Sequence, residues 1–171
     1  MIYDNNVALL PFNTTDAGRF HQLAVETSEA LPEQMLEFFT GFYSQVLGVI
    51  YYIFGPYKFF GHYLNVVFVM LAATKLIDIA DLLEFKVKNE KLLIALWLFM
   101  PIPMLMSYAL LREASMYYFI VQSIYFFLKW FEKYNYIYAV LAILMGLIGG
   151  KYHSGVMVVV VPYIYYFIFY S

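Results

Sequence analysis

Four long runs without a charged residue dominate this sequence and constrain its fold more than any other feature. They cover residues 92–111, 114–128, 134–150 and 152–171. A helix needs roughly 20 apolar residues to cross the bilayer's hydrocarbon core, which is about 30 Å thick. Of the 171 residues, 64% are hydrophobic and 13% are charged, whereas about a quarter of a soluble domain is charged. The pattern therefore predicts an all-α chain built for lipid, with these runs as four membrane spans.

A fifth predicted span runs from Phe59 to Leu83 and carries charges only in its last part, at Lys75, Asp78 and Asp81. A spacing of three residues keeps these charges near one face of a helix. Lys75 can then extend its charged end to the water boundary, with the carboxylates beyond it. The fold class predicted from these features is a polytopic transmembrane helix bundle of about five spans.

The rest of the chain divides at residue 40. Residues 1–40 are acidic and contain no apolar run long enough to cross a bilayer, so we expect an extracytoplasmic helical segment there. Residues 41–171 form the predicted bundle. Its first stretch, 41–54, is too short to span and stops at Gly55-Pro56, which predicts an interfacial or re-entrant helix.

The distribution of basic residues predicts the orientation of the bundle. Loops 84–91 and 129–133 hold five lysines between them, whereas the turns at 112–113 and 151–153 hold one arginine and one lysine. Cytoplasmic loops are enriched in basic residues, which places the lysine loops inside. The net charge is −2 and no basic cluster occurs, which argues against a nucleic-acid partner.

Three polar segments share the predicted outer face. They are "TTDAGRFHQLA" (14–24), "LLREAS" (110–115) and "GGKYHSG" (149–155). Ionisable residues at membrane depth are often functional, but each segment also has a structural explanation. Asp16 could be a helix N-cap, Arg112-Glu113 a helix start, and His153-Ser154 a simple turn. Their convergence on one face favours a shared site.

The order of several motifs resembles that of bacterial membrane proteins of cell-surface polysaccharide assembly. The motifs are "DAGRFHQLA", "YSQVLGVIYYIFG", "GHYLNVVFVMLAATKLIDIADLL", "LLREASMYYFIVQSIYFFLKW" and "KYHSGVMVVVVPYIYYF". They are similar to GT-C-type glycosyltransferases of the protein-mannosyltransferase group and to oligosaccharide repeat-unit polymerases. Such proteins usually have a transmembrane helix before the acidic loop and more helices at the end. We therefore expect the sequence to be a fragment of a longer gene product.

The resemblance implies sugar transfer from a polyprenyl phosphate or diphosphate carrier to a glycan acceptor on the extracytoplasmic face of the bacterial plasma membrane. Asp16 matches the family's catalytic or metal-assisting carboxylate, and Glu113 competes as the base. Arg112 suits the departing phosphate, because a guanidinium binds phosphate oxygens in a bidentate manner. The remaining candidates for phosphate binding are Lys151, His153, Arg19 and His21. The cofactor stays open, with a divalent metal as one option, and other cell-envelope assembly proteins are candidate partners beside the membrane lipid.

Two other function classes remain open. One is a non-catalytic membrane subunit or scaffold whose polar turns bind a partner. The other is a transporter fragment, because Pro101 and Pro103 break a helix near mid-membrane and transporters use such breaks to expose backbone groups. Intramembrane charge is sparse, which argues against an ion-coupled pump.

The predicted orientation can be tested by single-cysteine labelling, since the chain contains no cysteine. Cysteines introduced at positions 112 and 152 should react with an impermeant thiol reagent added outside, and one at position 88 should not, because its lysine-rich loop is predicted to be cytoplasmic. Labelling of position 88 from outside would overturn this topology.

Overall fold

The computed structural model describes residues 15–31, 41–85, 90–108 and 110–170. Within these ranges the regular elements are all helical, which confirms the all-α prediction. The helices are α1 (Thr15–Ala30), α2 (Phe42–Phe54), α3 (Lys58–Leu82), α4 (Glu90–Leu98), α5 (Pro101–Tyr108), α6 (Glu113–Lys133), α7 (Tyr136–Tyr152) and α8 (Met157–Tyr170), with a 3₁₀ turn at Ser154–Val156.

Local breakers end the helices where the sequence predicts. Gly55 stops α2 with a φ of 94°, a backbone conformation that favours glycine, and its N–H donates to the Tyr51 carbonyl at 2.8 Å. The predicted span 92–111 is interrupted at residues 99–100, and Pro101 begins α5. Proline suits the first position of a helix because its nitrogen has no hydrogen to donate. This span is therefore two short helices rather than one.

Helices α3 and α6 lie side by side and run in the same direction. Residues further along α3 contact residues further along the segment 111–133. Asn65 bonds to Leu111, Phe68 packs against Phe119, and the Lys75 ammonium lies over the Tyr125 ring. Helix α7 then returns antiparallel to α6, since Ser123 donates to the Ala142 carbonyl and Phe119 stacks on Tyr152. The start of α6 and the end of α7 therefore lie at one end of the bundle.

Helices α1 and α2 pack against each other and onto that same end. A buried apolar cluster joins them to the loop before α6 and to the last residue of α7. Its members are Ala17, Ala24, Tyr43, Leu47, Tyr51, Leu110 and Tyr152. The small residues Ala17 and Ala24 let α1 approach closely, and Gly48 of α2 faces Thr27 across the same contact. The N-terminal helix therefore shares its core with the bundle.

The outer surface is rich in large apolar side chains. Exposed examples lie on several helices, including Met70 of α3, Val140 of α7, and Val161 and Ile168 of α8. Among the described helices, α3 is the one long and apolar enough to cross a membrane, while α2, α7 and the segment Ser154–Phe169 are apolar but shorter. The polytopic arrangement of about five spans stays a prediction.

Helices α7 and α8 are in close contact at Gly146. A methyl group there would collide with the side chain of Val160 and lie 3.3 Å from the hydroxyl of Ser123, which already donates to a carbonyl. Val160 is buried and, being β-branched, has little freedom to rotate away. Gly146 is therefore a packing requirement rather than a flexible joint.

We expect Gly146→Ala to destabilise the chain by about 1–3 kcal/mol, the usual cost of overpacking a core. Gly150→Ala in the same helix is the matched control, because its methyl group meets the flexible end of Met157, with the sulfur at 2.7 Å, and that exposed side chain can move. Thermal unfolding of both variants in one detergent, followed by circular dichroism, gives the comparison. Equal melting temperatures would contradict the assigned role of Gly146.

Candidate functional site

Two linked hydrogen bonds, both made by the buried Asn65, lie at the end of the bundle where α6 begins. The Tyr43 hydroxyl donates to Oδ1 of Asn65 at 3.3 Å, and Nδ2 of Asn65 donates to the Leu111 carbonyl at 3.0 Å. Tyr43 is 1% exposed and Asn65 is fully buried. Buried polar groups cost free energy unless they are hydrogen-bonded. These bonds therefore fix the backbone just before Arg112 against α2 and α3.

Arg112 precedes the first residue of α6 and is half-buried. Its guanidinium carbon lies 5.7 Å from the centre of the Phe20 ring, which α1 supplies. A cation over an aromatic face is attracted by the ring's quadrupole. Helix α1 thus contacts the guanidinium of Arg112 through the Phe20 ring.

Glu113 lies in the first turn of α6, where a carboxylate interacts favourably with the positive end of the helix dipole. Its Oε2 atom is buried and, among the described residues, has no hydrogen-bond partner. Burial raises the pKa of Tyr43, and the nearby charge of Glu113 adds to that shift. The Tyr43 hydroxyl therefore stays protonated as a donor, and Glu113 keeps an oxygen able to accept a proton or a hydrogen bond.

Tyr152, the last residue of α7, brings the third polar segment to this site. It is buried, its hydroxyl lies beside the fully buried Ser115 of α6, and its ring packs against Phe42 at 4.9 Å. Its neighbours in sequence behave differently. Lys151 is exposed in the last turn of α7, and His153 is exposed and accepts a hydrogen bond from the Gly155 N–H at 3.0 Å.

The candidates on α1 also fall on two sides of their helix. Asp16 and Arg19 are exposed, whereas Ala17 between them is buried. Asp16 lies in the first turn of α1 rather than at the N-cap position, which corrects that structural explanation. Within the described ranges, Asp16 forms no ion pair with Arg112. The structure therefore brings Arg112 and Glu113 to the buried side of the site and leaves Asp16, Arg19, Lys151 and His153 on its surface.

His21 is the α1 candidate that contacts another helix. Its Nδ1 lies 2.8 Å from the Tyr51 hydroxyl of α2, and the two rings meet edge to face at 5.4 Å. Burial lowers the pKa of His21, and the charges of Lys58 and His62 lower it further. A neutral imidazole at this position is a hydrogen-bond partner for Tyr51 rather than a cation.

Sequence reasoning missed the uncharged polar residues of the site: Tyr43, Asn65, Ser115 and Tyr152. Asn65 carried a usable signal, because it is an amide within the otherwise apolar stretch "YLNVVFVMLAA", and polar side chains in such helices commonly bind neighbouring helices. The other three are common in this chain and gave no distinguishing pattern.

Metal ligation finds no support in the part of the chain that the structure describes, where no three His, Asp or Glu residues come together as ligands would. Comparison with known proteins adds no assignment: no family model, no curated protein and no solved structure matches this chain. The case for function therefore depends on the residues themselves.

The hydrogen bonds of Asn65 can be tested by a double-mutant cycle. Asn65→Leu should cost about 1–3 kcal/mol, because the buried Tyr43 hydroxyl and the partly buried Leu111 carbonyl each lose the hydrogen bond to Asn65. Adding Tyr43→Phe to Asn65→Leu should recover part of that loss, since one orphaned group is removed. Denaturation of both single variants and the double variant measures the coupling. Additive losses would contradict a Tyr43–Asn65 interaction.

Proposed function

We propose that this chain is an integral membrane protein whose bundle lies in the bacterial plasma membrane, with the site described above at the extracytoplasmic end. The exposed apolar side chains of α3, α7 and α8 support this placement, because soluble monomers rarely expose apolar patches larger than a few hundred Å². The parallel course of α3 and α6 also supports it. Residues 129–133, predicted as a loop, form the end of α6, so Lys129 and Lys133 lie at the end of the bundle opposite Arg112, where α3 also ends.

We further propose that the protein is a glycosyltransferase or polysaccharide polymerase that takes sugar from a polyprenyl-phosphate or polyprenyl-diphosphate carrier. One observation carries this proposal: Arg112 and Glu113, adjacent in sequence, both lie in a partly buried site that α1 contacts. The two residues do not neutralise each other, since within the described ranges no ion pair joins them. A cation and an acceptor oxygen on adjacent residues suit a reaction in which a phosphate leaves and a hydroxyl attacks.

The roles follow from chemistry and position. Arg112 would bind the leaving phosphate through two parallel hydrogen bonds. Glu113, with its buried oxygen, would take the proton of the acceptor hydroxyl. Asp16 is the second carboxylate candidate and lies on the exposed side of α1. Arg19 and Lys151 would supplement the positive charge around the carrier and the acceptor glycan, and His21 and His153 would offer hydrogen bonds there.

A non-catalytic membrane subunit is the second candidate, and a specific observation favours it. His153 accepts a bond from the backbone of its own turn, and Glu113 lies where a carboxylate stabilises a helix start. A transporter fragment is favoured by a different observation, because the break between α4 and α5 matches the broken helices of transporters. Neither alternative requires the buried oxygen of Glu113 or the guanidinium geometry of Arg112.

The proposed reaction predicts that conservative changes at the site strongly reduce polymer growth. Arg112→Lys keeps the charge but loses the bidentate contact. Because a charge-assisted hydrogen bond contributes about 1.5–3 kcal/mol, elongation should fall about tenfold or more. Glu113→Gln keeps the shape but removes the base, a loss of about 100-fold or more. Surface polysaccharide length, measured in cells that express each variant, reports the result.

Asp16→Asn distinguishes the two carboxylates in the same assay. Loss of polymer in Asp16→Asn with normal polymer in Glu113→Gln would assign the base to Asp16. Lys133→Gln is the matched control, because Lys133 is an exposed cation at the other end of α6. Normal polymer from Arg112→Lys, Glu113→Gln and Asp16→Asn, at normal membrane abundance, would leave the non-catalytic reading as the better one.

A further inference from the structure

Two lysines of different helices meet at one tyrosine ring, near the end of the bundle opposite Arg112. The Lys75 ammonium of α3 lies 4.6 Å from the centre of the Tyr125 ring of α6. Lys129, also of α6, lies 5.1 Å from the same centre and donates a hydrogen bond to the Tyr125 hydroxyl at 2.8 Å. Lys129 also lies 5.2 Å from the centre of the Tyr138 ring, which α7 supplies. Three helices therefore bring two positive charges to one place.

The charges around this ring do not cancel within the described part of the chain. Lys75 forms an ion pair with Asp78, one turn further along α3. Lys129 forms no ion pair in the described ranges, and the exposed carboxylates of Asp81 and Glu132 lie beyond ion-pair distance of it. An aromatic ring attracts a cation through its quadrupole but carries no net charge. Two ammonium groups and one carboxylate therefore leave one positive charge at the ring.

The same side chains keep hydrogen-bond donors for a ligand. An ammonium group has three N–H donors, of which Lys75 gives one to Asp78 and Lys129 gives one to Tyr125. Because the Tyr125 hydroxyl accepts that bond, its own proton can be donated to another oxygen. Lys75, Tyr125 and Lys129 are all half-buried, so a ligand can reach them from the surface of the bundle. Phosphate oxygens accept such bonds strongly, since donor and acceptor then carry opposite charges.

Both lysines lie at the depth where lipid headgroups begin. At 1.5 Å per residue, Lys75 lies roughly 25 Å from the start of α3 and Lys129 roughly 24 Å from the start of α6. In a hydrocarbon core about 30 Å thick, both are close to the boundary opposite Arg112. Basic pockets between membrane helices on the cytoplasmic side bind the headgroups of anionic lipids, and tyrosine rings favour the same depth.

We propose that Lys75, Tyr125 and Lys129 bind the phosphate of an anionic phospholipid in the cytoplasmic leaflet. The phosphate would accept hydrogen bonds from both ammonium groups and from the tyrosine hydroxyl, while the acyl chains lie along the apolar surface of the bundle. One phosphodiester carries one negative charge, which matches the positive charge left at the ring. The inference rests on the membrane placement proposed above and goes beyond the proposed sugar transfer, which takes place at the other end of the bundle.

Native mass spectrometry of the purified chain in detergent can test this site, because it counts the lipids that stay bound. Phosphatidylglycerol and phosphatidylcholine with identical acyl chains are titrated separately. We expect phosphatidylglycerol to bind at least about fivefold more tightly, the factor that one lysine near a membrane surface contributes toward anionic lipid. In a second arm, soluble glycerol phosphate is added in excess. Phosphatidylglycerol that stays bound assigns the site to the lipid, whereas its displacement assigns the site to free phosphate.

Variants establish which side chains bind. Lys75→Gln and Lys129→Gln should each lower the affinity for phosphatidylglycerol about fivefold. Lys133→Gln is the matched control, because Lys133 is an exposed cation at the end of the same helix and should leave the affinity unchanged. Asp78→Asn should instead tighten binding, because it frees Lys75 from its ion pair, whereas a merely structural ion pair predicts no such gain. Equal binding of the two lipids, equal losses in Lys129→Gln and Lys133→Gln, or weaker binding by Asp78→Asn would refute the site.

This test can fail separately from the proposed function, because it measures lipid binding without sugar transfer. Recovery of the chain from cells as a soluble protein would reject the membrane placement and the lipid site together. Equal binding of both lipids by a chain recovered in the membrane fraction would reject the lipid site alone. Selective binding of phosphatidylglycerol together with normal polymer from Arg112→Lys would keep the lipid site and reject sugar transfer through Arg112.

Discussion

The side-chain amide of Asn65 is the interaction on which the arrangement of this end of the bundle depends. An amide buried in an apolar helix is costly unless both its oxygen and its nitrogen are bonded. Tyr43 supplies the donor and the Leu111 carbonyl the acceptor, so one side chain joins α2, α3 and the loop before α6. Because Leu111 is adjacent to Arg112, the guanidinium is positioned by a residue that carries no charge.

The helices themselves were largely predictable because their signals are local. Apolar runs, the Gly55-Pro56 pair and Pro101 mark where helices begin and end, and the structure places breaks at those points. The side-by-side, parallel packing of α3 and α6 was not predictable in the same way. It depends on contacts between residues such as Phe68 and Phe119, far apart in sequence, and aromatic rings are too frequent in this chain for any one pair to be identified.

The candidate site was predictable in its charged members and not in its uncharged ones. Arg112 and Glu113 were recognised because isolated charges in an apolar sequence are conspicuous. His153 shows the limit of that reasoning. A histidine side chain can take part in catalysis or accept a hydrogen bond from a backbone N–H, and only the three-dimensional contacts distinguish the two roles. Partial burial of Glu113 beside Tyr43 likewise has no local sequence signal.

The Asn65 hydrogen bonds also impose an order on biosynthesis. The Tyr43 hydroxyl lies 22 residues before Asn65 and is already present when Asn65 leaves the ribosome, whereas the Leu111 carbonyl lies 46 residues after it. At about 5–20 residues per second, the second partner is made roughly 2–9 s later. During that interval the amide nitrogen must bond to water or to another group. The α2–α3 hairpin can therefore close early, while its attachment to α6 has to wait for the chain that passes through α4 and α5.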